Sequence, residues 1–259
     1  MKYFANNVTL PIIRENNYRT ILEVGASMGD NTDQILEIKG VSLTIIDPCL
    51  DCDLVKKFSD QQNVKVIKDL SLNGLKKLST QFDCIFIDDD HNWYTVYNEL
   101  KIIKERNLLK VGGTIFLHDV GWPYGRRDMY YLPETIPAEF FRPNARKGMI
   151  PGQSELVDEG GVNPRFFNAL SEGGLKNGVL TAIEDFIKNF GPNDYNLLVD
   201  PRQYGLGILI YGKNNNSSWA RQWSAKLKYL SIKARFIYFI KSRLVRIKML
   251  RSIIYNANN

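Results

Sequence analysis

Hydrophobic positions along this chain come in short, β-branched bursts rather than long stripes. They fall at residues 19–24, 42–46, 64–67, 82–87, 114–117, 195–199 and 206–211, and each predicts a strand. Helix-length segments separate most of them, with helices expected to begin near Asp30, Asp51, Leu72, Trp93 and Gly178. Strands alternating with helices predict an α/β fold, a mostly parallel sheet with helices on both faces. The last two strands are joined by Pro201-Arg202-Gln203-Tyr204-Gly205, which predicts a hairpin that closes the sheet with an antiparallel strand. Between Val120 and Gly178 the alternation stops, and a Pro-, Gly- and aromatic-rich segment, 121–177, takes its place. Loops this long usually serve as functional lids.

Ligands of parallel sheets bind beyond the carboxyl ends of the strands, and here those ends are polar: Gly25, Asp47, Asp69, Asp88 and His118-Asp119. The first strand runs into Glu23-Val24-Gly25-Ala26-Ser27-Met28-Gly29-Asp30, a small-residue turn opening a helix. A dinucleotide fingerprint would require glycines where Ser27 and Asp30 stand. With Glu23 close by, Gly25, Ala26, Ser27 and Gly29 suit a cationic ligand better than a diphosphate. Asp47, ending the second strand, is spaced to accept both hydroxyls of a ribose, or else to cap the next helix.

The fourth strand ends in Asp88-Asp89-Asp90-His91 and the fifth in His118-Asp119. Three successive carboxylates repel one another unless a cation or a hydrogen-bond network compensates. Neighbouring strands bring the two ends together. A histidine there suits general-base work, its unperturbed pKa of about 6.5 lying near working pH; His91 is the first candidate and His118 the second.

The glycine turn resembles motif I of the class I S-adenosylmethionine (SAM)-dependent methyltransferases. The run Phe86-Ile87-Asp88-Asp89-Asp90-His91, followed by Gly112-Gly113-Thr114-Ile115-Phe116-Leu117-His118-Asp119, is similar to small-molecule O-methyltransferases with I-D-G-D-H and G-G-x-x-x-x-H-D signatures. The similarity covers roughly residues 20–120. It implies a Rossmann-like methyltransferase sheet with an antiparallel last strand, and SAM as methyl donor. It places Asp69 and Ser71 at the adenine, Ser71 being equally suited to cap the following helix. It also makes Asp88 and Asp119 candidate metal ligands, with magnesium as the candidate ion, and leaves Asp89, where the family has glycine, without a role.

Composition narrows the rest. With 44% hydrophobic and 24% charged residues, 259 residues suffice for one folded domain with an appendage, and the chain is neither disordered nor fibrous. Three cysteines, Cys49, Cys52 and Cys84, build no disulfide framework and favour a reducing compartment. No signal peptide and no apolar run of about 18 residues is visible, so a cytoplasmic protein is expected. The formal net charge of +6 is uneven. Residues 217–259 hold five Lys, five Arg and no acid, leaving 24 basic against 28 acidic residues, a net −4, in residues 1–216. That tail places Trp219, Trp223, Leu227, Leu230, Phe236, Ile240, Leu244, Ile247 and Leu250 near helical spacing. A basic amphipathic helix of this kind suits an anionic membrane interface, here the inner face, with packing on the sheet or on a second subunit of a homodimer, and a nucleic-acid arm, as competing roles.

Within 121–177, Trp122, Tyr124, Arg126, Arg127 and Tyr130 are candidate acceptor contacts, aromatic faces for a glycosyl ring and arginine forks for an anionic group. The expectation is therefore a methyltransferase domain over 1–216 that methylates a small-molecule hydroxyl, on a surface-glycan sugar or a secondary metabolite. N-methylation of an amine, a non-catalytic SAM-binding module and a nucleic-acid-binding protein are the alternatives. Acids clustered at the strand ends would repel a nucleic-acid substrate.

Overall fold

The structure, a computed structural model, describes residues 1–49, 52–212 and 218–233. Seven strands form one sheet: β1 (Thr20–Val24), β2 (Ser42–Ile46), β3 (Val64–Ile67), β4 (Phe82–Ile87), β5 (Leu109–His118), and, after three short strands elsewhere, β9 (Tyr195–Asp200) and β10 (Leu206–Tyr211). The sheet order is β3-β2-β1-β4-β5-β10-β9. Strands β1 to β5 pair in parallel, while β10 lies antiparallel between β5 and β9. This is a Rossmann-like sheet, and the hairpin predicted from residues 201–205 is present, with the last strand inserted inside the sheet and β9 at its edge.

The strands are short because each crosses the core once and is buried on both faces; Ile21, Leu22 and Val24 of β1 and Cys84 to Ile87 of β4 are all buried. Helices α2 (Asp30–Leu36), α3 (Cys52–Ser59), α4 (Ser71–Lys76), α5 (Trp93–Glu105) and α6 (Val179–Phe190) cover them. The start expected near Asp51 lies at the edge of the described residues. Helix α5 begins as a capped helix should, the Asn92 side chain accepting a hydrogen bond from Thr95 N at 2.8 Å. An N-terminal segment that the hydrophobic pattern did not single out adds a short 3₁₀ turn (Lys2–Phe4), a π turn (Ala5–Thr9) and α1 (Leu10–Glu15), burying Phe4, Val8, Leu10, Ile12 and Ile13.

The 121–177 segment is ordered. It carries a second sheet of β6 (Met129–Tyr130), β7 (Asn144–Ala145) and β8 (Phe167–Ala169), in the order β6-β8-β7. The chain divides into two compact units, Met1–Asn215 and Asn216–Asn259. In the second, residues 218–233 are helical with Ala220, Trp223 and Leu227 buried; the tail positions from Phe236 onward lie outside the described residues.

Candidate active site

Sheet order reverses between β1 and β4, and the crevice at such a reversal is where open α/β sheets bind ligands. The turn after β1 packs tightly there. Gly25 has φ +83°, and a Cβ on it would stand 2.5 Å from the Asp88 carbonyl oxygen, so only glycine lets the β1 and β4 tips meet. A cavity of about 420 Å³ opens at this point, within the usual range of small-molecule sites. One end is lined by Gly25, Ala26, Ser27, Met28, Asp30 and Asn31, the other by His91, His118, Asp119, Tyr124 and Tyr131, with Asp88 reaching both.

Asp119 organises the polar end. Its Oδ2 is 2.7 Å from His91 Nε2 and 2.7 Å from His118 Nδ1, and the same His118 nitrogen lies 3.1 Å from Asp88 Oδ1. Asp119 takes φ +59°, a left-handed conformation uncommon for a non-glycine residue, and directs its carboxylate between the two rings. Burial alone would lower both imidazoles; Asp119 and Asp88 outweigh it and hold His91 and His118 at about 9. Burial would raise Asp119 and Asp88; the two histidines instead keep Asp119 below its ordinary range, and His118 with the Met1 amino group does the same for Asp88. The Met1 amino group lies 2.8 Å from Asp88 Oδ2, and both residues line the cavity.

The remaining acids of the cluster have other work. Asp90 braces the loop, accepting from His91 N, Asn92 Nδ2 and Thr95 Oγ1. Asp89 turns inward beside Ser71 and the buried Glu99, and burial raises both of these carboxyls. Among the described residues Asp88, His118 and Asp119 have side-chain ligand atoms within 4.8 Å of one another, a spacing that could hold a metal ion. Two oxygens and a nitrogen suit a borderline divalent ion better than magnesium, a hard cation that favours an all-oxygen shell.

Several expected site residues stand elsewhere. Glu23 lies beneath the turn, its oxygens accepting from Asn31 Nδ2 (2.8 Å) and Thr32 Oγ1 (2.6 Å), so it props α2 rather than facing the cavity. Gly29 caps α2 and makes room for the Phe58 ring. Asp47 is buried with both oxygens committed to backbone amides: Ala26 N and Ser27 N at 2.8 Å, Cys49 N at 2.7 Å. In this state it shapes the turn. Asp69 pairs with Lys77 at 2.6 Å, and Ser71 is buried as the first residue of α4, without a capping bond. None of these lines the cavity.

Of the five candidate acceptor contacts only Tyr124 lines it. Arg126 is held by Glu184 and Thr181. Arg127 is buried and donates to the carbonyls of Ala169 and Ser154. Tyr130 donates to the buried Asp128 at 3.0 Å, and Trp122 packs behind Tyr124 with Met129 and Met149. In this structure Arg126 ties the segment to α6 and Arg127 satisfies carbonyls within the segment itself.

Tyr131, one of the aromatic residues the sequence offers in the 121–177 segment, also lines the cavity, and residues the sequence did not single out supply the other walls: Met129, Asn163 and Phe166 from that segment, Tyr204 from the β9–β10 turn, and Met1 and Lys2. A bridge between Met129 N and His91 O, 3.1 Å, fixes that segment to the β4 tip. It sets the Tyr124 and Tyr131 rings edge-on to His91 at 5.4 and 5.7 Å. Tyr204 carried a faint signal, as an aromatic in a turn that strand order brings beside β5; its φ of +68° is again left-handed.

No protein-family model matches the chain, and no curated protein matches it in sequence. Solved structures do. A Podospora anserina methyltransferase with bound S-adenosylhomocysteine (SAH) is 20% identical and superposes with a TM-score of 0.50, over 79% of this chain and 76% of that one. A Staphylococcus aureus protein assigned as a caffeoyl-CoA O-methyltransferase is 19% identical with a TM-score of 0.48, over 78% and 80%. A Burkholderia thailandensis 1,6-didemethyltoxoflavin N1-methyltransferase with SAH is 13% identical with a TM-score of 0.44, over 78% and 75%. At 20% identity the likeness to the Podospora anserina structure speaks to architecture alone: the chain shares its Rossmann-like fold.

Proposed function

We propose that this chain is a SAM-dependent methyltransferase acting on a hydroxyl oxygen of a small molecule. The observation that carries the reading is the single cavity joining the Gly25–Met28 turn to the His91–Asp119–His118 cluster, with Asp88 between them. Methyl transfer requires a cationic donor and a deprotonated acceptor side by side, and this cavity offers an acid wall for the first and imidazoles for the second.

When bound, SAM supplies an electrophilic methyl on a sulfonium that departs as a neutral thioether. The Gly25–Met28 turn and Asp88 would hold the donor's charged amino-acid end, the turn through its backbone and Asp88 through its carboxylate. His118 is the better-placed base: Asp119 and Asp88 fix its Nδ1, leaving Nε2 to accept the hydroxyl proton in the manner of other carboxylate–imidazole pairs. His91, with Nε2 committed to Asp119 and Nδ1 buried, holds Asp119 in place. Beside Asp119 and Asp88 both imidazoles favour the charged form at neutral pH; a positive ligand beside Asp88 would oppose that charge and favour the neutral, proton-accepting form. A divalent ion on Asp88, His118 and Asp119 would add acidification of the acceptor hydroxyl.

Tyr124, Tyr131, Phe166 and Tyr204 give the acceptor aromatic walls, and the nearby arginines are engaged elsewhere. These features support an uncharged ring acceptor, a glycosyl unit rather than an anionic compound. Isothermal calorimetry with SAM and with SAH, in magnesium and in chelator, tests the donor site. Saturable binding of both is expected. No measurable affinity for either would overturn the reading, and equal affinity with and without chelator would remove the ion from the donor site.

A further inference from the structure

We propose that the C-terminal unit docks this protein on anionic lipid surfaces, with the outward face of the 218–233 helix as the contact. That helix buries Ala220, Trp223 and Leu227, spaced as one face. The opposite face is exposed and carries Arg221, Lys228 and Lys233. Two large apolar side chains stand among those cations, Tyr229 at 63% and Ile232 at 58% exposure. Lys226 sits at the border, its Nζ 3.8 Å from the centre of the Trp223 ring. Among the described residues none of the four cations pairs with a carboxylate.

Charge points to a polyanion as the partner. From Ser217 onward the sequence has ten basic residues and no acid, while the preceding part of the chain is net negative. Like charges at this density repel one another, and the repulsion is relieved where an array of anions lies opposite. The apolar side chains then select lipid over nucleic acid. Phosphodiester backbones offer no partner for an exposed isoleucine, whereas a headgroup layer takes aromatic and aliphatic side chains below its phosphates. The sequence beyond residue 233 keeps the same composition, with Phe236, Ile240, Leu244, Ile247 and Leu250 interspersed with Lys and Arg. No described helix is long and apolar enough to cross a membrane, so the contact is a surface one.

Co-sedimentation of the full chain with vesicles tests this, using phosphatidylcholine alone and a phosphatidylcholine–phosphatidylglycerol mixture. The protein should pellet with the mixed vesicles only, and less as salt rises. Each cation near an anionic leaflet strengthens partitioning roughly fivefold, so Arg221→Gln, Lys228→Gln and Lys233→Gln together should weaken it about a hundredfold. Tyr229→Ser with Ile232→Ser should remove several-fold of what survives at high salt. Equal partitioning into both vesicle types, no partitioning, or retention on duplex DNA without vesicle binding would each overturn the proposal. Wild-type partitioning by the triple variant would overturn the assignment to this face.

Discussion

Glu23 shows how far a single carboxyl can depart from its solution behaviour. Burial pushes its pKa from an ordinary 4.5 to about 7, and the hydrogen bonds from Thr32 and Asn31 offset that only in part. A group whose folded pKa is raised contributes stability that is complete below its unfolded value and is lost as pH rises through the folded one. Glu23 therefore favours folding at pH 4.5 and ceases to do so above pH 7, a difference of about 3 kcal/mol for a shift of this size. Glu23→Gln should remove that dependence. Urea unfolding at pH 5 and pH 8 should show the variant losing less stability on the alkaline side than the wild type, by up to that amount. Parallel losses in both proteins would mean that Glu23 ionises normally inside the fold.

Elements meet at a second buried carboxylate, Asp128, which sequence patterning did not mark. Its Oδ1 accepts from Trp93 N (2.7 Å) at the start of α5 and from Gly178 N (2.6 Å) at the start of α6, and its Oδ2 accepts from Tyr130 in β6. One side chain thus ties the 121–177 segment to two helices that cover the sheet. Asp128→Ala would leave two buried amides without their acceptor and the Tyr130 hydroxyl with only the bond it accepts from Arg142 N, costing about 3–5 kcal/mol in chemical denaturation. Asp128→Asn, which keeps one acceptor oxygen, should cost about half as much; equal losses would mean that packing rather than these bonds holds the junction.

What the sequence made legible follows the same division. Strand positions were readable because a strand buried on both faces leaves a continuous apolar run, and α5 because Asn92 and its amphipathic spacing mark it. The strand-end residues Gly25, Asp88, His91, His118 and Asp119 were readable because topology fixes where strand ends converge. The walls from Met129 to Phe166 were not, since their side chains reach the cavity through a three-stranded sheet whose strands span two or three residues, too short for any periodicity. That Arg126 and Arg127 lie away from the cavity lining was unreadable for a related reason: an arginine gripping a neighbouring helix or its own segment and one facing a ligand have the same local sequence.

At the scale of the whole molecule, the cavity stands where sheet order reverses, with Gly25 closing β1, Asp88 closing β4 and His118 closing β5. Three separate stretches of chain must be folded at once for the donor to find its walls, so an unfolded chain offers it nothing. Binding to the native state alone stabilises by mass action, about 2.7 kcal/mol at a ligand concentration a hundredfold above Kd. For a folded unit of roughly 200 residues each kcal/mol raises Tm by about 2–4 °C. If the proposed donor site is correct, saturating SAH should raise the melting temperature by about 5–10 °C, read by scanning calorimetry, whereas adenosine, which lacks the charged amino-acid end that the proposal assigns to Asp88, should shift it much less. An equal shift from both would relocate the binding energy away from Asp88 and the Gly25 turn, and no shift from SAH would leave this cavity without its donor.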